Sequence, residues 1–144
     1  MNIKQALKKK NILVDQIKQE YNRANTYNSI NSENTRPYSA VDSLNNYFNL
    51  TEQLIALKTA IHKANQPVYE KIFKLSEYKS IVKYLKSLDC NEGKVSGNRW
   101  ESTDAKLMVA EIKIVDRDKM VADYEEKINT IQDELDYFNQ VTEI

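Results

Sequence analysis

Residues that interrupt helices are scarce: the 144-residue chain contains only 2 glycines and 2 prolines. A sheet-rich fold needs many turns and so does not suit this composition, whereas long helices do. There is a single cysteine, Cys90, which excludes an internal disulfide and suits a reducing, cytoplasmic setting. There is also a single histidine, His62, with no second His or Cys at helical spacing from it. That rules out a local zinc site and a nucleophile–base pair built on it. No apolar run approaches the roughly 20 residues that cross a bilayer, and MNIKQALKKKNILVDQ lacks the apolar core and cleavage site of a secretory signal. Net charge is absent too, with 21 basic residues against 21 acidic. No global field then draws the chain to duplex nucleic acid or to an anionic membrane, and any anion site must be local.

What is present is helical periodicity in a chain the size of one domain, residues 1–144. Ile3, Leu7, Val14, Ile17, Tyr21 and Ala24 recur at intervals of three and four, predicting a first helix from Asn2 to about Tyr27. Lys10 alone breaks this stripe, and its long stem can lie along apolar surface. NSINSENTRPYS is a loop, with Pro37 holding Arg36 out of helical geometry. Ser39 caps a second helix reaching about Ala64, on the stripe Val41, Leu44, Phe48, Thr51, Leu54, Leu57 and Ile61. Asn65 and Gln66 form a tight connection, and Pro67 opens a third helix to about Leu88 with Val68, Ile72, Leu75, Val82 and Leu85 inside. DCNEGKVSGN then makes a surface loop.

Residues 107–115, LMVAEIKIV, support two readings: a short strand paired with Arg99 to Ser102, or the start of one long helix. The strand is preferred, followed by a last helix from about Asp116, its cap, to Asn139. The helix reading rests on a phase kept by Leu107, Ala110, Ile114, Val121, Tyr124, Ile128, Ile131, Leu135 and Phe138, broken only at Arg117. The expected fold is mainly α: an elongated antiparallel bundle of about four helices with a short extended segment or hairpin near residues 99–115. Stripes this narrow resemble coiled-coil seams, so self-association into a homo-oligomer is expected.

IKQAL at residues 3–7, IHKAN at 61–65, EIKIV at 111–115 and DYFNQVTEI at 136–144 together resemble the septicolysin-like family of small bacterial helical proteins. In that family the second helix ends in an Ile-Asn-x-Thr-Asn type motif and the chain in an Asn-Trp-x-Thr-Glu type motif. Asn65 and Asn139 match it, whereas His62, Ala64 and Gln140 depart from it. The resemblance implies antiparallel helices with a small extended segment before the last, and no activity. The abundance of Asn, Lys and Ile suits an AT-rich genome, bacterial or phage.

Candidate functional residues lie in the connections. Arg36 and Tyr38, and likewise Arg99 and Trp100, set guanidinium groups beside aromatic rings, able to hold phosphate and stack on a base. Packing over a bundle end is the plain structural role for the same residues. His62, Lys63 and Asn65 crowd the end of the second helix, where a helix terminus by itself accounts for them. In an up-down bundle Arg36 and Arg99 share one end, and His62 joins them only through an antiparallel partner subunit. Carboxylates such as Glu125, Glu126 and Asp133 sit among lysines as on a solvated helix face, and no inward Glu-x-x-His motif provides a di-metal site. With no phosphate-cradling glycine loop either, no enzyme, metal or cofactor is expected. The leading expectation is an oligomeric binding protein for a small anionic ligand, for example a phage anti-defence protein sequestering a signalling nucleotide. The alternative is a structural or protein-interaction module, such as a virion or assembly component.

Overall fold

The computed structural model describes residues 1–95 and 106–144. The fold is mainly α, with four long helices and one small sheet: α1 (Ile3–Tyr27), α2 (Ala40–Ala64), α3 (Tyr69–Ser87), β1 (Gly93–Val95), β2 (Lys106–Met108) and α4 (Ile114–Val141). By contacts the chain divides into two compact units, Met1–Tyr69 with Asp136–Ile144, and Glu70–Leu135.

In the first unit α1 and α2 form an antiparallel hairpin. Asn2 starts α1 with a capping box, accepting from the Gln5 amide at 2.9 Å while the Gln5 side chain accepts from the Asn2 amide at 3.0 Å. Ser39 caps α2 as expected, through the Asp42 amide at 3.2 Å. The buried and half-buried positions alternate by three and four along both helices. On α1 they include Ile3, Ala6, Lys10, Leu13, Ile17 and Glu20; on α2, Ser43, Tyr47, Leu50, Leu54, Leu57 and Ile61. This is the knobs-into-holes period of a coiled coil. Ala6, Leu13, Leu57 and Ile61 form its most deeply buried cluster, with Leu7, Leu50, Leu54 and Ile144 packed around them.

That seam corrects the stripes expected from sequence. On α1, Leu13 is 4% exposed whereas Val14 and Tyr21, expected inside, are 44% and 43% exposed. On α2, Val41, Leu44 and Phe48 lie outside, and only the later part of the stripe from Thr51 is covered. Both helices carry two adjacent apolar stripes, and the intrachain seam uses the one that also contains small residues, Ala6 and Ser43, which let the backbones approach.

The chain ends meet within this unit. Asn2 and Glu143 form an antiparallel bridge, the Ile3 amide donates to the Thr142 carbonyl at 3.0 Å, and the Ile144 amide donates to the Met1 carbonyl at 3.0 Å. The Asn2 side-chain amide also donates to the Gln140 carbonyl at 3.0 Å.

In the second unit α3 and α4 run antiparallel, bridged by Lys71–Glu134 at 2.6 Å and Lys86–Glu125 at 2.9 Å. Pro67 lies in a one-turn 3-10 segment, Gln66–Val68, which leads directly into α3. The expected inner faces largely hold here: Val82, Val121 and Leu135 are buried, and Ile72, Leu75, Leu85, Tyr124, Ile128 and Ile131 half-buried, but Ile114 at the start of α4 is exposed. Arg117 stays on the stripe, donating to the Leu88 carbonyl just beyond α3 at 3.4 Å and pairing with Asp118 at 2.8 Å. The Asp118 hydrogen bond raises its pKa above the ordinary value.

Residues 106–108 are a strand, paired with Gly93–Val95, with Lys94 opposite Leu107; Arg99 to Ser102, the partner expected from sequence, lie outside the described residues. The segment expected as plain surface loop thus supplies a strand, opened by Gly93 at φ 87°, where side chains other than glycine are strained. α4 begins earlier than expected: the Arg117 amide already donates to the Lys113 carbonyl at 2.9 Å, so Asp116 sits in the first turn rather than capping it. A carboxylate is favoured there by the helix dipole.

Candidate functional site

Arg36 and Tyr38 do come together, at the end of α1. The Arg36 guanidinium donates from Nε to the Tyr27 carbonyl at 2.8 Å and from a terminal nitrogen to the Asn28 carbonyl at 3.0 Å. Those carbonyls belong to the set that a helix C terminus leaves without intrahelical partners, so a cation satisfies hydrogen bonds and dipole at once. Tyr38 stacks at a tilt on Tyr27, with ring centroids 5.6 Å apart, and the Arg23 guanidinium lies 4.3 Å from its ring centre. Arginine and tyrosine therefore form a helix cap with a stacked lid.

His62, Lys63 and Asn65 gather at the opposite end of α2. The Tyr69 hydroxyl donates to the His62 carbonyl at 2.9 Å and is also paired with Nδ1; both bonds are satisfied when Nδ1 carries the imidazole proton. The His62 and Tyr69 rings lie 5.2 Å apart. Asn65 ends the helix, its amide donating to the Ile61 carbonyl and its carbonyl accepting from Val68, each at 3.0 Å. Its side-chain Oδ1 is buried without a hydrogen-bond partner among the described residues, while Lys63 is exposed.

These clusters stand at the two ends of a 25-residue helix, about 37 Å long at the usual rise. One chain does not bring them together, so a joint site needs a second chain. Arg99 and Trp100 lie outside the described residues.

Two further features stand out: the first was not singled out from sequence, and the second is part of the α2 stripe, found on the outside. One is a groove of about 610 Å³ between α3 and α4, lined by Lys71, Lys74, Tyr78, Asp123, Glu126 and Lys127 among others. Tyr78 and Tyr124 meet edge to face at 5.3 Å, and the Lys127 ammonium lies 4.8 Å from the Tyr124 ring centre. The signal was Lys-x-x-Lys-x-x-x-Tyr on α3, visible but read as a solvated face. Its charges are largely matched: Lys71 is paired with Glu134 and Lys74 with Glu70. The hydrogen bond from Lys74, then its charge, holds the Glu70 carboxyl below its ordinary value, and the same bond raises Lys74. A groove so balanced has no strong preference for an anion.

The other feature is apolar. Val41, Leu44, Phe48 and Ile55 follow the same spacing of three, four and seven along α2 and are all exposed, Val41 to 68% and Phe48 to 53%. Tyr21 and Leu44 line a common groove of about 500 Å³, which places the exposed stripe of α1 on the same side of the hairpin. Among the described residues no group of three His, Cys, Asp or Glu side chains is arranged to hold a metal ion. No helix among them is long and apolar enough to cross a membrane. No protein-family model, curated protein or solved structure matches the chain.

Proposed function

We propose that this chain is a non-enzymatic helical interaction protein that assembles with copies of itself. The observation that carries this reading is the exposed apolar side of the α1–α2 hairpin, continuous from Val14 and Tyr21 to the outer stripe of α2. Exposed apolar surface of that extent marks a binding face. The Arg36 and His62 clusters argue the same way, since their hydrogen bonds serve helix ends. A lone thiol, Cys90, suits a cell interior, and a structural or assembly role in a phage or bacterium suits the architecture, in line with the septicolysin-like resemblance. Light scattering over a concentration series tests the reading: a mass above one chain in the micromolar range is expected, and a monomer at about 1 mM (an affinity weaker than about −4 kcal/mol) removes it.

A second reading keeps the small anionic ligand, a nucleotide for example, at a junction between subunits. The exposed Lys63, next to His62 in the last turn of α2, favours it, offering a cation for phosphate. Thermal unfolding against mono-, di- and cyclic nucleotides decides: a ligand of the folded state raises the midpoint by several degrees, and a flat response across the panel ends this reading.

A further inference from the structure

We infer that the outer stripe of α2 is covered by the α2 of a second copy running antiparallel, with Phe48 on the two-fold axis. This names the partner and surface of the self-association proposed above, and rests on that reading.

The spacing is the first argument. Val41, Phe48 and Ile55 stand at successive heptad intervals and are symmetric about Phe48, while Leu44, off that line, falls at the level of the partner's Glu52. An antiparallel copy then lays Val41 against the partner's Ile55, Phe48 against the partner's Phe48, and Ile55 against the partner's Val41. That is the self-complementarity a two-fold interface requires. A period of three and four also calls for a helix as occupant, because only a helix presents knobs at that interval.

Charge is the second argument. No residue between Asp42 and Glu52 is charged, so two copies meet around Phe48 without like charges facing each other. The chain as a whole is neutral, which removes long-range repulsion between copies. Area is the third. Val14, Tyr21, Val41, Leu44, Phe48 and Ile55 are each between 42% and 68% exposed. Together they offer on the order of 500 Å² of side-chain surface per chain, and two such faces reach the roughly 1,000 Å² below which specific interfaces are rare. Polar residues at the rim add to that figure.

The test uses the full chain and four proteins: the natural sequence, Val41→Glu, Phe48→Glu, and the double variant Val41→Glu with Ile55→Lys. Helix content by circular dichroism is expected to be unchanged in all of them, since both positions 41 and 48 are more than half exposed. By light scattering the natural chain is a dimer, and each single variant dissociates with affinity weakened about 100-fold or more, because a symmetric interface loses the residue twice. The double variant regains the dimer at low salt, since antiparallel pairing sets each new glutamate against a new lysine; parallel pairing would set like charges together. Dimers that persist in both single variants overturn the α2 surface while leaving self-association intact. Single variants that dissociate and a double variant that stays monomeric overturn the antiparallel arrangement. A natural chain that is monomeric at about 1 mM overturns both this inference and the reading beneath it.

Discussion

Single residues here are mostly occupied in closing helices. Arg36 reaches back across the loop to the last carbonyls of α1, so Arg36→Ala should cost about 1 kcal/mol in denaturant unfolding. Faster amide exchange is expected in the final turn of α1, while the rest of the hairpin keeps its protection. The Glu70–Lys74 pair gives a prediction in pH. Glu70 has a folded-state pKa below its ordinary 4.5, so its contribution to stability is present above that value and is lost as the pH falls through the lowered one. Lys74 has its pKa raised above 10.5, so its contribution is present below that value and lost as the pH rises through the raised one. The Glu70 carboxyl resonance should titrate below 4.5, and Lys74→Met should move its midpoint back up; a midpoint unmoved by that substitution would show that Lys74 is not the cause. The residue scale is also where sequence was least sufficient. Arg36 beside Tyr38 has the same letters whether it holds a phosphate or two backbone carbonyls, and only the return of the loop over Tyr27 decides between them.

At the scale of elements most of the fold could be read in advance. Ser39, Asn65 and Pro67 mark the limits of α2 and the start of the next helix through local capping and ring geometry, so they need no tertiary information. The stripes of α3 and α4 were equally legible, including Arg117 on the seam. The face of α1 was legible in part: Ile3, Leu7, Ile17 and Ala24 are covered, but Val14 is not, because Leu13 and Val14 are both apolar and adjacent and periodicity gives each an acceptable stripe. The partner then selects: Leu57 and Ile61 of α2 pack against Ala6 and Leu13, not against Val14. Leu13→Ala should therefore cost about 2–4 kcal/mol, and Val14→Ala less than about 1, when each is followed by urea unfolding. Equal costs would mean that the seam lies between the two stripes. The strand was legible only in part: the alternation of Ile112 and Ile114 with Glu111 and Lys113 falls after β2, and the paired segment Gly93–Val95 contains one apolar residue and a glycine, so its pairing depends on the chain's return rather than on pattern.

At the scale of the whole molecule, the first and last residues belong to one unit. Asn2 caps α1 and donates to the Gln140 carbonyl, so Asn2→Ala removes a cap and a long-range hydrogen bond together. A loss of about 1–2 kcal/mol is expected. Hydrogen exchange should speed up at the Ile3 and Ile144 amides by the same factor, since one opening exposes both; exchange that rises only at Ile3 would show that the two ends open independently.

The pairing of residues 1–3 with residues 142–144 also sets an order on synthesis. A ribosome adding about 5–20 residues per second completes α2 and then needs several more seconds before Ile144 exists. Through that interval the α1–α2 hairpin can form, because its contacts are local to the first part of the chain, but Ile3 still lacks its pairing with Thr142. Neighbouring ribosomes on one message would hold such hairpins close together, each with the stripe from Val41 to Ile55 uncovered. Two chains could then meet before residues 142–144 emerge, and these would close a unit already in company.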